Sequence, residues 1–137
     1  MDLQKQQRLI IDALEDAKAR EIKVFNTTHL TGMFDRIIVV SGTSGRQTRA
    51  IAQHVINRVR EKAIPIIAEE GMDSGEWVLI DIGDIVIHVM QPATRQYYNL
   101  EEIWGERPVR VKLLPESTIP VSNEPAGFGD FPDPIAP

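Results

Sequence analysis

The sequence predicts a mixed α/β domain in which a five-stranded sheet is flanked by helices. Apolar runs of strand length alternate with longer segments whose apolar residues recur at helical spacing, which is the pattern of an α/β fold. Two of the runs are separated by only two residues, a loop length typical of a tight antiparallel hairpin, so the sheet is not all parallel. A chain of 137 residues, 42 % of them hydrophobic, is long enough for one domain with a substantial core.

The N-terminal part of the chain predicts a helix, a short strand and an irregular turn. Residues 3–20 form an amphipathic pattern in which Ile10, Leu14 and Ala17 recur at helical spacing. A strand is expected over residues 22–25, and turn-forming residues follow it. Three apolar residues of that turn are expected to anchor it in the core: Leu30, Met33 and Phe34.

The run Arg36-Ile37-Ile38-Val39-Val40 predicts a strand that is buried on both faces, because it is continuously aliphatic after its first residue. Helices should therefore cover both sides of the sheet. The run ends in a Gly- and Ser-rich turn, and a helix is expected to begin near Arg46. A further strand over residues 64–68 would complete a right-handed βαβ unit.

Two strands are then expected over residues 77–82 and 85–90, joined by the hairpin turn. Residues 94–105 predict a short helical region. Within it, Asn99 followed by Glu102 resembles a capping box.

The C-terminal part differs in composition from the rest. We expect a domain over residues 1–107 and a proline-rich extension over residues 108–137 that is largely disordered. Residues 108–114 form an extended stretch that would lie on the domain. Beyond it, residues 115–137 include six prolines and few residues able to pack.

Charge and composition exclude several classes of function. The formal net charge of −5 has the wrong sign for a protein that binds nucleic acid by neutralising phosphates. The absence of cysteine excludes disulfides and thiolate metal sites and fits a cytoplasmic protein, as does the lack of a signal peptide or a membrane-spanning run. The region 69–102 contains one base, Arg95, and eight acids, which suit either a basic protein partner or a merely solvated surface. The acids are Glu69, Glu70, Asp73, Glu76, Asp81, Asp84, Glu101 and Glu102.

Two groups of residues are candidate ligand sites. The turn Ser41-Gly42-Thr43-Ser44 precedes a helix, where backbone amides can bind an anion, but it lacks the lysine and the spacing of a phosphate-binding loop. Asp81, Asp84 and His88 have metal-ligating side chains, yet Asp81 lies across the hairpin turn from the other two. Ordinary structural roles are the preferred interpretation of both groups, so no metal and no cofactor are expected.

Aromatic residues are concentrated in one region of the chain. Both tryptophans and both tyrosines lie between Trp77 and Trp104, within the acidic region. Trp, Tyr and Met are enriched at interface hot spots, although they are equally common in cores. No nucleophile, base and orienting group stand together, so the residues favour a binding module over an enzyme.

Longer motifs resemble the Iojap/RsfS family of ribosome silencing factors. They comprise Phe34-Asp35, the stretch 38–44, Arg46-Gln47, the glycine- and tryptophan-containing stretch 70–89, and the closing segment 95–104. The resemblance covers residues 5–105. At Gly45 the chain departs from it, because a larger polar residue is common there.

The resemblance implies a fold similar to that of nucleotidyltransferases and a homodimer when the protein is free. It also implies binding to large-subunit ribosomal protein fourteen, which blocks subunit joining and represses translation in starvation. Organellar relatives are linked to large-subunit assembly, and that alternative stays open. An active nucleotidyltransferase is a weaker alternative. Enzymes of that fold need a pair of acids spaced one residue apart on a strand after the glycine turn, and no such pair follows the 41–44 turn on a neighbouring strand.

The acidic region, the concentration of aromatic residues and the family resemblance together predict one docking face between residues 70 and 104. Within it, Asp81 and Trp104 are the residues expected to support the fold. The predicted partner-binding residues are Glu70, Trp77, Asp81, Asp84, His88, Met90, Arg95, Tyr97, Tyr98 and Glu101.

Overall fold

The computed structural model describes residues 1–104, 109, 111 and 113–114, and they form a layered α/β domain. One sheet has the strand order β1-β2-β5-β4-β3. The helices and strands are α1 (Leu3–Asp16), β1 (Arg20–Asn26), β2 (Arg36–Ser41), α2 (Gly45–Glu61), β3 (Ala68–Glu70), β4 (Trp77–Asp81), β5 (Ile85–Met90), α3 (Pro92–Tyr98) and α4 (Leu100–Trp104).

The sheet is mixed, as predicted. β4 and β5 form the antiparallel hairpin, whereas β2 and β5 are parallel. The strand after α2 lies at the far edge of the sheet and pairs antiparallel with β4. β2 and β3 are therefore not neighbours, because β5 and β4 lie between them. The predicted strand over residues 64–68 starts only at Ala68.

The first helix is shorter than predicted. It ends at Asp16, and Lys18 then adopts a φ of 65°, in the left-handed region that terminates helices. The amide of Ala19 donates to the carbonyl of Leu14 at 2.9 Å, which closes the helix end and turns the chain into β1.

The larger core lies between the sheet and the helices α1 and α2. Its members are almost all aliphatic, and most are completely buried. They include Ile10, Ile11, Leu14, Ile38, Val40, Ile51, Val55, Ile56, Ile80, Ile85 and Ile87.

A smaller core lies on the opposite face of the sheet. Phe25, Ile37, Val39 and Met90 are buried there beneath partly buried residues from the loop before β2, from β4 and from α4. The covering residues are Phe34, Trp77, Leu100 and Trp104. β2 is therefore buried on both faces, as its sequence predicted, but the helices over this second face are short.

Two of the three predicted anchors in the loop before β2 are wrong. Leu30 is 51 % exposed and Met33 is 81 % exposed, whereas Phe34 packs against the smaller core. Buried Thr27 closes the loop at its base: its amide donates to the carbonyl of Asp35 and its hydroxyl to that of Phe34. Because the loop ends are tied together, its middle projects outward.

The predicted helical region 94–105 divides into α3 and α4 at Asn99. Asn99 adopts a φ of 48° and a ψ of 54°, and its amide donates to the carbonyl of Arg95. It therefore terminates α3 in the left-handed conformation that asparagine tolerates. The amide of Glu102 donates to the main-chain carbonyl of Asn99 rather than to its side chain.

The segment after α4 contacts β1. The amide of Val109 donates to the carbonyl of Val24 at 2.7 Å, and Val109, Val111 and Leu113 pack against the larger core. Residues 115–137, predicted to be disordered, lie outside the described residues. Among the described helices, none is long and apolar enough to cross a membrane.

Candidate functional site

The second face of the sheet is covered unevenly. Leu100 and Trp104 of α4 pack over buried residues of β1, β2 and β5. On β4, alternate residues point away from the larger core, and these are only half-buried: Trp77, Leu79 and Asp81. Pairing in the sheet places Leu79 between His88 of β5 and Glu70 of β3. We call Glu70, Trp77, Leu79, Asp81 and Tyr98 the open face.

Three aromatic rings lie together at one end of the open face: those of Trp77 and Tyr98 belong to it, and that of Tyr97 lies next to them. The rings of Trp77 and Tyr98 lie 4.8 Å apart between centroids, and those of Tyr98 and Tyr97 lie 5.0 Å apart. Tyr97 is 81 % exposed and Tyr98 is 52 % exposed. Aromatic side chains that contact one another in tilted and edge-on arrangements but remain in solvent are typical of protein interfaces.

Trp77 is also bonded to a histidine beneath it. Its indole Nε1 donates to Nδ1 of His88 at 2.9 Å. Burial lowers the pKa of His88 from 6.5 to about 4, because an imidazolium would lose its hydration there. The imidazole is therefore neutral at physiological pH and can accept through Nδ1, with its own proton on Nε2.

The turn between β3 and β4 positions Trp77. Gly71 has a φ of +89°, and a Cβ there would lie 1.9 Å from the carbonyl oxygen of Trp77. Gly75 has a φ of +72°, and its carbonyl accepts hydrogen bonds from the Thr48 hydroxyl and from Gln91 Nε2. Both positions combine a positive φ with a lack of room for a Cβ, which explains why glycines stand at positions 71 and 75 before Trp77.

Gly45, where the chain departs from the family pattern, lies against the same turn. A Cβ at Gly45 would stand 2.9 Å from the carbonyl oxygen of Ser74. The 71–76 turn therefore approaches α2 more closely than a larger residue at position 45 would allow.

Arg95 fastens α3 to its surroundings. Its Nε donates to Glu101 at 2.7 Å, and one terminal nitrogen donates to Ser41 Oγ at 2.8 Å. Glu21 lies 3.9 Å from the same terminal nitrogen. The side chain is 7 % exposed, so this guanidinium acts inside the protein and links the two short helices to the end of β2.

The structure separates the predicted partner-binding residues into two groups. Three of them are buried and do not reach the surface in this conformation: Met90 at 0 %, His88 at 8 % and Arg95 at 6 % exposure. The prediction that Met90 contacts a partner is corrected accordingly, since Met90 is buried in the smaller core and Trp77 packs against that core. The remaining seven are exposed or half-buried: Glu70, Trp77, Asp81, Asp84, Tyr97, Tyr98 and Glu101.

The hairpin acids are not equivalent. Asp81 accepts a hydrogen bond from the Gly83 amide at 2.8 Å, which is a structural role in the hairpin turn. Asp84 is exposed on the turn after β4, whereas Trp77 begins that strand. At a rise of about 3.3 Å per residue, roughly 15 to 20 Å separates Asp84 from the aromatic end.

Several exposed or half-buried apolar residues are not among the predicted partner-binding residues. Leu79 was detectable, because alternation along β4 places it beside Trp77 and Asp81. Ile103, which is 64 % exposed, and the loop residues Leu30 and Met33 gave no comparable signal. Loops have no periodicity from which exposure can be inferred.

The turn 41–44 is occupied by internal hydrogen bonds. Ser41 Oγ accepts from Arg95, and Ser44 Oγ caps α2 by accepting from the Gln47 amide. The amide and hydroxyl of Thr43 both contact Gln47 Oε1. These groups serve the fold, which favours the structural interpretation over anion binding. Within the described ranges, no group of three or more His, Asp or Glu side chains could hold a metal ion.

Comparison with known proteins shows that the chain is similar to ribosomal silencing factors. The sequence profile of a family described as "Ribosomal silencing factor during starvation" (RsfS) matches residues 1–127. A relative named "Ribosomal silencing factor RsfS" from Chromobacterium violaceum is 47 % identical over 105 residues, which make up 77 % of this chain and 86 % of that one.

A solved structure and an organellar relative extend the comparison. The crystal structure of a C. violaceum protein matches with a TM-score of 0.75 at 47 % identity, over 77 % of this chain and 88 % of that chain. A mouse protein named "Mitochondrial assembly of ribosomal large subunit protein 1" is 29 % identical over 121 residues, which cover 81 % of this chain and 53 % of that protein.

Proposed function

The chain belongs to the RsfS family of ribosomal silencing factors, and we propose that it represses translation by docking its open face on the large ribosomal subunit. The docked protein would occupy the surface on which the small subunit otherwise assembles. Such a mechanism requires that the protein occupies this surface and fits its shape, and it requires no catalytic step. An interface of about 800 Å² per partner is sufficient for a specific complex.

The partner that we propose is large-subunit ribosomal protein fourteen, which the Iojap/RsfS resemblance implies. The free protein would be a homodimer in the cytoplasm. Complementary charge supports a basic protein partner, since Glu70 is an exposed acid of the open face and Glu76 is exposed just before Trp77. The exposed acid Asp84 would contact such a partner only if the interface extends along the whole length of β4.

The observation that carries this proposal is the exposed aromatic cluster beside an uncovered strand. Tyr97 and Tyr98 are exposed although Trp77 lies within stacking distance, and Leu79 continues the apolar surface along β4. A central aromatic group with polar residues around it is the common arrangement of a binding hot spot. We therefore expect the greatest loss of affinity on replacing Trp77 or Tyr98.

Co-sedimentation tests the proposal. Purified protein is centrifuged with salt-washed large and small subunits in magnesium that promotes their joining. We expect it to travel with the large subunit and to reduce the joined peak. Protein that stays at the top of the gradient while joining proceeds normally would contradict the proposal.

A matched pair of charge reversals locates the face. Glu70→Lys changes an exposed acid beside Leu79, whereas Glu61→Lys changes an exposed acid at the end of α2, which packs against the opposite face of the sheet. We expect Glu70→Lys to weaken binding about three- to tenfold, as for a charge at an interface rim, and Glu61→Lys to leave it unchanged. Equal effects of the two reversals would show that binding follows net charge rather than this face.

Large-subunit assembly is the second candidate function, and the name of the mouse mitochondrial relative favours it. Both functions would use the same face, so variants of the face do not distinguish them. The two functions can be distinguished by the ribosomal subunit profiles of a deletion strain, measured in growth and in starvation. Accumulated large-subunit precursors would indicate assembly, and failed translational shutdown would indicate silencing.

A further inference from the structure

The indole of Trp77 is hydrogen-bonded to the buried side chain of His88. Trp77 is the first residue of β4 and pairs with Met90, whereas His88 of β5 pairs with Leu79. His88 is thus the diagonal cross-strand neighbour of Trp77 on the same side of the sheet. The ring centroids lie 5.8 Å apart, and the indole N–H donates to Nδ1 of His88 at 2.9 Å.

The other neighbours of the indole constrain it less. Tyr98 contacts one side of the ring, but Tyr98 is itself half-exposed and lies next to the left-handed residue Asn99 that ends α3. Met90, the cross-strand partner of Trp77, packs against the indole. Its thioether side chain is flexible and adapts to different ring positions. A directional hydrogen bond to a buried acceptor is the contact that distinguishes one orientation of the indole from its alternatives.

We propose that His88 is a positioning residue: it fixes the orientation in which Trp77 is presented to the partner, and it does not contact the partner itself. This inference rests on the proposed docking function. It explains why a polar residue stands in the middle of the apolar strand Ile85–Met90. All the remaining residues of that strand are Ile, Val or Met. A buried polar side chain that is paired in this way contributes specificity of geometry at little cost in stability.

Two substitutions of His88 separate the hydrogen bond from the volume of the side chain. His88→Asn keeps an acceptor close to the position of Nδ1, and His88→Leu keeps bulk but removes the acceptor. Trp77→Phe removes the donor and keeps an aromatic ring. All three are made in the full chain, and folding is checked by thermal unfolding before any affinity is measured.

The first readout is the indole N–H of Trp77 in ¹⁵N NMR spectra, assigned by comparison with Trp104→Phe. We expect slow solvent exchange of this proton in the wild type and in His88→Asn, and fast exchange in His88→Leu. The second readout is affinity for salt-washed large subunits. We expect a loss of about five- to tenfold for His88→Leu, the size expected of one positional hydrogen bond, and less than about threefold for His88→Asn.

A double-mutant cycle decides whether the two residues act together. In the Trp77→Phe background the donor is absent, so His88→Leu should cause no further loss of affinity. An additive loss would overturn the inference, and so would normal binding by a folded His88→Leu protein when Trp77→Ala binds weakly. Normal binding by Trp77→Ala would overturn the proposed open face, and with it the inference.

Discussion

The two faces of the sheet are built from different kinds of residue. The face under α1 and α2 is filled by aliphatic side chains that are almost completely buried. The smaller core on the opposite face has four buried residues, and the side chains over them are mostly aromatic and only partly buried. One face is therefore closed by the fold, whereas the other retains aromatic and polar groups at its surface. The difference agrees with the proposal that the second face is the one that binds a partner.

Neighbouring residues on β4 provide the sharpest contrast between the faces. Ile80 is completely buried in the larger core, and Leu79 is half-buried on the open face. We expect Ile80→Ala to lower the free energy of unfolding by about 2 to 5 kcal/mol, because it leaves a cavity in a close-packed core. Leu79→Ala should cost less than about 1.5 kcal/mol, since its side chain is only partly buried.

Urea unfolding and large-subunit binding are measured for both variants. Leu79→Ala should weaken binding at a temperature where both proteins are folded, and Ile80→Ala should not. A reversed ranking of the two stabilities would show that the faces do not differ in packing.

Removing Arg95 tests how the open face is supported. Arg95→Met keeps much of the side-chain volume but leaves Glu101 and Ser41 without their donor. We expect a loss of about 2 to 3 kcal/mol in the free energy of unfolding, as for a buried charged hydrogen-bonding group. Arg95→Lys should recover only part of it, because an ammonium cannot reproduce the geometry of the guanidinium. Full recovery by lysine would indicate that charge alone is required.

Acid should weaken the open face through His88. The folded-state pKa of His88 is about 4 and the unfolded value is 6.5, so the unfolded chain binds the proton first as the pH falls. His88 costs no stability above pH 6.5, and stability is lost progressively between pH 6.5 and 4. At pH 5 the expected loss is about 2 kcal/mol.

The measurement is the difference in urea stability between wild type and His88→Asn at pH 7 and at pH 5. Asparagine does not titrate in this range, so the difference between the two proteins should shift by about 2 kcal/mol in favour of His88→Asn at pH 5. Parallel behaviour of the two proteins would place the pKa of His88 near its ordinary value.

The smallest effect is expected at Tyr97. Its side chain is 81 % exposed and contacts Tyr98 edge-on. Tyr97→Ala should change the free energy of unfolding by less than about 0.5 kcal/mol, as for an ordinary surface substitution. Any loss of large-subunit binding would then reflect the interface alone. A large loss of stability would instead assign Tyr97 to the fold.

Local patterns in the sequence determined much of the secondary structure. The two-residue spacing before Ile85 required a hairpin, and the aliphatic run after Arg36 required burial on both faces of its strand. Helical spacing located α1 and α2, although not the end of α1. The motif from Glu70 to Val89 pointed to the family. Each of these features depends on residues that are close together in the chain, where periodicity and turn chemistry act directly.

Tertiary structure alone decided which residues of the candidate site reach solvent. His88 and Met90 belong to a strand that enters the sheet between β2 and β4, so residues distant in the sequence bury them. Arg95 is buried because Ser41 and Glu101 come together around it, and Leu30 and Met33 are exposed because Thr27 closes their loop. Burial is set by non-local neighbours, and no pattern within a short stretch of chain specifies which neighbours those are.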